Sequence, residues 1–183
     1  MKHALVIGGT GMLSDVSLWL VNKGYHVSVI GRDHNRMDRL IRNSKNESLI
    51  TPILVDYKLD IELKEQLRSS IKKNGQFEIV VAWIHSGGEN VLDILAKETS
   101  SNNAPWKLFH VLGSRANLDQ VEKNVPLNEN CQYHQIQLGF VIEGEGSRWL
   151  TNEEISNGVI ESIKKDRPRH LIGVLEPASM RPL

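Results

Sequence analysis

The sequence predicts an α/β fold, a doubly wound parallel sheet of about seven strands with helices on both faces. Short β-rich apolar segments alternate with segments of helical periodicity through most of the chain, and that alternation is typical of a parallel sheet covered on both sides. Three glycines, Gly8, Gly9 and Gly11, separate the first apolar segment from the first helical one. A third observation is segment 77–84, the most apolar run of the chain, which we expect to be a central strand.

Seven segments are predicted as strands because they are short, apolar or β-branched, and bounded by turn residues. In chain order they are 4–7, 25–30, 49–55, 77–84, 106–112, 135–142 and 171–175. Segment 135–142 alternates Ile136, Leu138, Phe140 and Ile142 with Gln135, Gln137, Gly139 and Val141, so it is predicted as one continuous strand.

The helices are predicted from apolar residues that recur every three or four positions. The first helix follows the glycine turn and ends before Gly24, and the third ends at Asn74 and Gly75. The apolar positions are Met12, Val16, Trp19 and Leu20, then Met37, Leu40 and Ile41, then Leu59, Leu63, Leu67 and Ile71, then Val91, Leu92 and Leu95. A capping box over 151–154 begins the last helix. Segment 116–130 is predicted as a loop with one short helix, and the tail to Leu183 as irregular.

Composition limits the function classes. The 183 residues fit one domain, 1–183, and contain 22 basic and 22 acidic residues, a balance that disfavours nucleic acid and anionic membranes as partners. A single cysteine, Cys131, excludes an internal disulfide and a cysteine-based metal cage. No secretory signal or long apolar stretch is present, and the histidines have no metal-ligand spacing. We expect a cytoplasmic protein.

The glycine turn predicts a phosphate site in a Rossmann-type fold. Glycine permits the tight turn and a close approach to a pyrophosphate, whose charge meets the N-terminus of the following helix. The residues read either as Gly9-x-Gly11-x-x-Ser14 or as Gly8-x-x-Gly11-x-x-Ser14, and the alternative is a purely structural connection. The candidate cofactor-binding residues are Gly8, Gly9, Thr10, Gly11, Met12, Leu13 and Ser14.

Gly31 and Arg32, directly after the second strand, favour NADP over NAD as the cofactor. A guanidinium at this point can bind a 2′-phosphate, whereas an acid would accept the ribose hydroxyls. Three alternatives stay open: Arg32 is a solvated turn residue, Asp33 accepts the hydroxyls, or the glycine turn binds S-adenosylmethionine or a flavin.

With these residues the chain resembles the short-chain dehydrogenase/reductase family, in particular its atypical and extended branches. The resemblance rests on Gly8 to Ser14 and on Gly31-Arg32, and it implies roles for residues at other strand ends. Asp56, after the third strand, corresponds to the acid that contacts adenine, although it could instead cap the third helix. His85, Ser86 and Gly87 follow the fourth strand, where the family packs against the adenosine ribose. Ser114 corresponds to the catalytic serine, and family habit implies a homo-oligomer.

The resemblance fails at the catalytic pair. The family uses a tyrosine and, four residues later, a lysine on a helix, but here the only tyrosine after Ser114 is Tyr133, and Gln137 stands four residues on. Tyr133 opens the alternating segment that is predicted as a strand, which places these two side chains about 13 Å apart, and a neutral amide cannot lower the pKa of a phenol as a charge does. The substrate-binding insertion is reduced to 143–148. Ser114 and His85 remain as catalytic candidates, His85 because an imidazole titrates near neutrality.

Some polar residues near these segments have structural interpretations. His110 is predicted to be a buried, hydrogen-bonded histidine, and His134 is a weaker candidate for lining the site. Arg148 and Trp149 could contact a substrate, although Trp149 or Leu150 could equally form a hydrophobic staple for the last helix.

Two function hypotheses follow. The first is an NADP-dependent oxidoreductase that acts on a small carbonyl or alcohol through an altered catalytic centre. The second is a non-catalytic NADP(H)-binding sensor or regulatory protein.

Overall fold

A computed structural model describes residues 1–99 and 102–183. The strands are β1 His3–Ile7, β2 His26–Gly31, β3 Ile50–Leu54, β4 Phe77–Trp83, β5 Trp106–Leu112, β6 Cys131–Leu138, β7 Phe140–Glu143, β8 Gly146–Trp149 and β9 Arg169–Ile172. The helices are α1 Ser14–Asn22, α2 His34–Arg42, α3 Asp60–Asn74, α4 Val91–Thr99, α5 Leu118–Asn124 and α6 Asn152–Lys165, with 3₁₀ turns at Glu47–Leu49 and Ala178–Met180.

Within the described residues the main sheet has seven strands in the order β3-β2-β1-β4-β5-β6-β9, and its pairs are parallel. This confirms the predicted doubly wound α/β sheet. The order reverses between β1 and β4, so a crevice forms at the carboxyl ends of these strands.

Alternate side chains of the strands build a core on each face of the sheet. Val6 and Val81 pack with residues of α1, α2 and α6, whereas Leu5 and Val80 pack with residues of α3 and α4. Because both faces are covered, the central strands are apolar on both sides, as expected for a parallel sheet. No helix in the described part of the chain is long and apolar enough to cross a bilayer.

The prediction of one strand over 135–142 is wrong. β6 begins earlier and ends at Leu138, and the chain then leaves the sheet into the antiparallel hairpin β7–β8. Gly139 lies against the backbone of Val174, where a Cβ would overlap the Val174 carbonyl. Gln135 and Gln137 are buried along with Ile136, although they alternate with apolar residues in the sequence.

A buried histidine joins β1, β2 and α3 at the amino edge of the sheet. His3 Nδ1 donates to the Gly75 carbonyl at 2.7 Å, which leaves Nε2 to accept from the Ser28 hydroxyl at 2.8 Å. Ser28 Oγ lies 2.6 Å from Ser70 Oγ, so Ser70 completes the chain as a donor. Burial lowers the pKa of His3 to about 4, and the neutral ring satisfies every partner.

Candidate functional site

An open cleft of about 830 Å³ lies at the carboxyl ends of β1, β2 and β4. It occupies the crevice where the strand order reverses, the position at which doubly wound sheets bind ligands. The predicted site residues that line it are Gly8, Thr10, Gly11, Met12, Gly31, Arg32 and His85. Sequence reasoning missed four other lining residues, Arg36, Tyr57, Trp83 and Asn152.

The three glycines of the turn have different structural roles. Gly8 has φ +89°, which side-chain-bearing residues rarely adopt. Gly9 is buried, and a Cβ there would lie 2.6 Å from Ser17 Oγ and 2.8 Å from Val29 Cγ1. The nearest atom to a Cβ on Gly11, beyond its adjacent residues, would be an Arg36 guanidinium nitrogen at 3.9 Å. Gly11 is therefore the glycine whose missing side chain leaves room in the cleft.

The small residue that packs helix against strand is Ser17, not Ser14. Ser17 is fully buried and donates to the Gly9 carbonyl at 3.2 Å. Ser14 is half-buried and lines a groove beside the cleft together with Arg36 and Arg39. Leu13 is fully buried in the core, so it is a packing residue and does not face the cleft.

The N-terminus of α1 faces this region with its first-turn amides free of side-chain caps, as far as the described residues show. The Leu13 and Ser14 amides donate to the Gly8 and Gly11 carbonyls within the turn, so the attraction of this terminus for an anion comes from the helix dipole and from the first-turn amides that follow Ser14. α6 packs beside it, and Ser156 donates to the Met12 carbonyl at 2.8 Å. The turn is thus fixed from both sides, by Ser17 of α1 and by Ser156 of α6.

The rim of the cleft beyond β2 carries two arginines, each beside a carboxylate, and Asp33 lines it too. Arg32 and Arg36 line it, and Arg32 lies 3.6 Å from the Asp56 carboxylate. Asp33 accepts from the Arg36 amide at 2.9 Å and so caps α2; this hydrogen bond is the main cause that lowers the pKa of Asp33. The Asp33 carboxylate is therefore engaged by its own helix.

Asp56 does not cap α3, the alternative that the sequence left open. α3 begins at Asp60, and its N-cap position is Leu59. Asp56 instead accepts from the Lys58 amide at 3.0 Å, a local turn bond, and presents its second oxygen to Arg32. Its position is fixed by the turn after β3 rather than by the helix.

The end of β4 contributes an indole and an imidazole. Trp83 Nε1 donates to His85 Nε2 at 3.2 Å, so the neutral His85 ring carries its proton on Nδ1. The His85 amide donates to the Tyr57 phenol oxygen at 3.0 Å. Ser86 and Gly87 are exposed and form the turn beyond, where the Gly87 amide donates to Glu89.

Ser114 lines a second cavity of about 250 Å³, with Trp83, Leu138, Trp149 and Ile155 among its walls. The structure does not bring Ser114 and His85 into one cavity. Trp83 lines both, and it is the residue where the larger cleft and the smaller cavity adjoin.

Tyr133 lies in β6 and points away from both cavities. Its phenol oxygen lies 2.8 Å from His110 Nδ1 and accepts from Gln135 Nε2 at 3.3 Å. Burial raises the pKa of Tyr133 to about 12 and lowers the pKa of His110 to about 4. Both groups are held neutral inside the protein at physiological pH.

Gln137 holds the loop that carries Ser114. Its side-chain amide nitrogen is within donor distance of three carbonyls, those of Gly113 and Ser114 at 3.4 Å and that of Ala116 at 3.0 Å. Gln135, two residues earlier in β6, contacts the start of α5 in the same way: its side-chain amide donates to the Leu118 carbonyl at 2.9 Å. The buried amides of β6 thus position the β5–α5 loop.

Two other residues that the sequence suggested for the site, His134 and Arg148, lie elsewhere. His134 stacks on Phe109 and contacts Asp166 at 2.9 Å, at the opposite edge of the sheet. Arg148 donates to both oxygens of Glu154 and to Glu143, which ties the hairpin to α6.

Residues 1–99 and 102–183 contain no group of three acidic, histidine or cysteine side chains suited to a metal ion.

Comparison with known proteins supports the fold. No protein family matches the chain by sequence, and no curated relative is found. A short-chain dehydrogenase/reductase from Burkholderia phymatum in complex with NAD superposes with a TM-score of 0.73 at 10% identity, covering 97% of this chain and 89% of that one.

Two further solved structures superpose on this chain to a similar extent. An alcohol dehydrogenase from Thermococcus sibiricus complexed with 5-hydroxy-NADP gives a TM-score of 0.69 at 13% identity, over 95% of this chain and 96% of that one. A short-chain dehydrogenase from Streptomyces avermitilis gives 0.67 at 11% identity, over 94% and 88%. At these identities the likeness shows that the chain has the fold of short-chain dehydrogenases/reductases.

Proposed function

We propose that this protein is an NADP(H)-binding member of the short-chain dehydrogenase/reductase family. The observation that carries the proposal is the combination of an open glycine turn at the uncapped end of α1 with two arginines on the rim of the same cleft. Two of the structural neighbours carry NAD or an NADP derivative. The residues of the cleft fit such a group, because Gly11 leaves its floor free of side chain.

Charge on the rim favours the phosphorylated cofactor. Arg32 and Arg36 can both donate charge-assisted hydrogen bonds to a 2′-phosphate. Asp33, which also lines the cleft, accepts the Arg36 amide through one oxygen, and its other oxygen lies 4.0 Å from the Arg36 guanidinium. Asp56 holds the Arg32 guanidinium at the rim.

A bound nicotinamide supplies or accepts a hydride, and the chain must then bind a small carbonyl or alcohol and move a proton. Ser114 is the hydroxyl at the smaller cavity and would orient the carbonyl oxygen. His85 would deliver the proton as an imidazolium, which forms only when Nε2 takes up a proton and releases the Trp83 indole, because in the neutral ring Nε2 accepts from that indole. Trp83 joins the two cavities and would separate the reacting groups from solvent.

A non-catalytic NADP(H) sensor is the second candidate function, and the contacts of Tyr133 and Gln137 in β6 favour it. Tyr133 is buried against His110, and the Gln137 amide is used by backbone carbonyls. Neither residue can supply the charged proton-donor pair on which the related enzymes depend.

Titration calorimetry with NADPH and NADH tests the binding. We expect NADPH to bind at least tenfold tighter, and Arg32→Ala to remove that preference while leaving NADH affinity within twofold. Arg167→Ala, an exposed arginine on the α6–β9 connection, is the matched control. Equal affinities for the two cofactors would contradict the proposal. Loss of nicotinamide absorbance with a panel of small carbonyls then separates the enzyme from the sensor.

A further inference from the structure

A third cavity, of about 400 Å³, adjoins the Ser114 cavity across Trp149 and is rich in positive charge. Arg115 and Arg181 line it, together with Ala178 and Pro182. Trp149, 45% exposed, lines both cavities. The Ser114 cavity is walled mainly by apolar side chains, so an apolar space and a cationic space meet at one indole.

The two arginines have no carboxylate partner in the part of the chain that the structure describes. Arg181 is half-buried, and its Nε is fully buried without a hydrogen-bond partner. Arg148, on the same hairpin as Trp149, shows the contrast, because Glu143 and Glu154 neutralise it. Water cannot reach this Nε, so an anion in the cavity would instead be bound by the terminal guanidinium nitrogens of Arg181 and Arg115.

We propose that the substrate is a carboxylate-bearing carbonyl compound with a small apolar body. The body occupies the cavity lined by Trp83, Leu138 and Ile155, the carbonyl lies at Ser114, and the carboxylate binds Arg115 and Arg181. Guanidinium groups suit this role because they present paired donors to the two carboxylate oxygens. This inference rests on the proposed function for its carbonyl, whereas the anion site itself rests only on the two arginines and the cavity.

Phenylacetate and phenylacetamide test the inference because they have nearly the same shape and differ in charge. By titration calorimetry on the intact protein we expect phenylacetate to bind at least tenfold tighter, a preference that falls as salt rises. Arg115→Gln and Arg181→Gln should each reduce the preference at least threefold, and the double variant should abolish it. Arg181→Lys should retain part of it.

Two controls separate charge from packing. Arg167→Gln, which removes a positive charge elsewhere, should leave the preference unchanged. Trp149→Ala should weaken both probes to the same extent, because it removes only apolar contact. Unchanged thermal midpoints will show that the variants are folded, and Arg115, being exposed, gives a variant whose folding does not depend on the cavity.

The outcomes distinguish the two proposals. Equal affinity for acid and amide, binding of neither, or a preference that survives the double variant would overturn the substrate class, and NADPH binding that depends on Arg32 would leave the proposed function intact. Conversely, a protein that binds phenylacetate through Arg115 and Arg181 but binds no NADPH would support the anion site and refute the proposed function.

Discussion

The two halves of the carboxyl edge of the sheet are built differently. At β1, β2 and β4 the backbone turns on glycine, and Arg32 and Arg36 line an open cleft. At β5 and β6 the polar side chains point inward, and Gln137 holds the Ser114 loop through its carbonyls. One half opens on a wide cleft, whereas the other uses buried amides to fix the loop that carries Ser114 and Arg115.

The largest effect should come from a comparison within the glycine turn. Gly11→Val should reduce NADPH affinity at least a thousandfold, about 4 kcal/mol, because the side chain would enter the cleft. The thermal midpoint should stay within two degrees or so, since nothing closer than Arg36 meets the new Cβ. Calorimetric titration and thermal unfolding measure the two quantities.

Gly9→Ala is the matched variant and should behave in the opposite way. Its Cβ would meet Ser17, Val29 and Val6 at 2.6–3.0 Å, so overpacking should lower the free energy of unfolding by about 1–3 kcal/mol. If Gly11→Val bound NADPH normally, the ligand cleft would lie elsewhere on the protein.

Acid should destabilise the protein through two buried imidazoles, His3 in β1 and His110 in β5. Their folded pKa values of about 4 lie below the ordinary 6.5, so between pH 6.5 and 4 the unfolded chain binds protons that the folded chain does not. Stability should be constant above pH 6.5 and fall below it, by up to about 3 kcal/mol for each histidine at pH 4.

Denaturant unfolding at a series of pH values measures this loss. His3→Gln and His110→Gln should each flatten the pH dependence of the unfolding free energy, while His34→Gln, at the exposed start of α2, is the control for composition. A dependence that is as steep in both variants as in the parent would contradict the assignment.

The Gln137 amide gives a test of the β5–β6 half alone. Gln137→Leu removes the donor shared by three carbonyls, so the unfolding free energy should fall by about 1–3 kcal/mol. NADPH affinity should stay within twofold, because the cleft has no contact with this strand. A large loss of cofactor affinity without loss of stability would mean that the two halves are coupled through the loop.

The smallest effect is expected for Tyr133→Phe, which removes one buried hydroxyl and about 1 kcal/mol of stability. In any assay that shows turnover, this variant should keep its rate within threefold, whereas Ser114→Ala should lose at least tenfold. A loss of several hundredfold from Tyr133→Phe, with cofactor affinity unchanged, would make Tyr133 the proton donor after all.

The sequence predicted the sheet well because its information there is local. Segment 106–112 corresponds to β5, and the capping box of Thr151 and Glu154 begins α6, since periodicity and capping depend on neighbours in the chain. The glycine turn was also recognisable from neighbouring residues, but the residue that packs closely against it was not: this is Ser17, eight residues beyond Gly9.

The features that the sequence did not predict depend on contacts between residues that are distant in sequence. Arg36 and Tyr57 reach the cleft from α2 and from the turn after β3, and no spacing rule links them to Gly11. The end of β6 at Leu138 is set by Val174, which occupies the space beside Gly139. The buried state of Gln137 follows from carbonyls more than twenty residues away, so alternation could not distinguish it from a solvent-facing amide.

Trp83 also provides an intrinsic fluorescent probe of ligand binding. Its indole lines both the cleft and the Ser114 cavity, and a reduced nicotinamide absorbs light at the wavelengths at which indole emits. Ligands on the two sides should therefore give separable fluorescence signals, energy transfer from the cofactor side and a change of emission from the other. Trp83→Phe should weaken both signals without abolishing them, because Trp149 also lines the Ser114 cavity and the other three tryptophans still emit. The order in which cofactor and substrate bind can be followed in real time without an added dye.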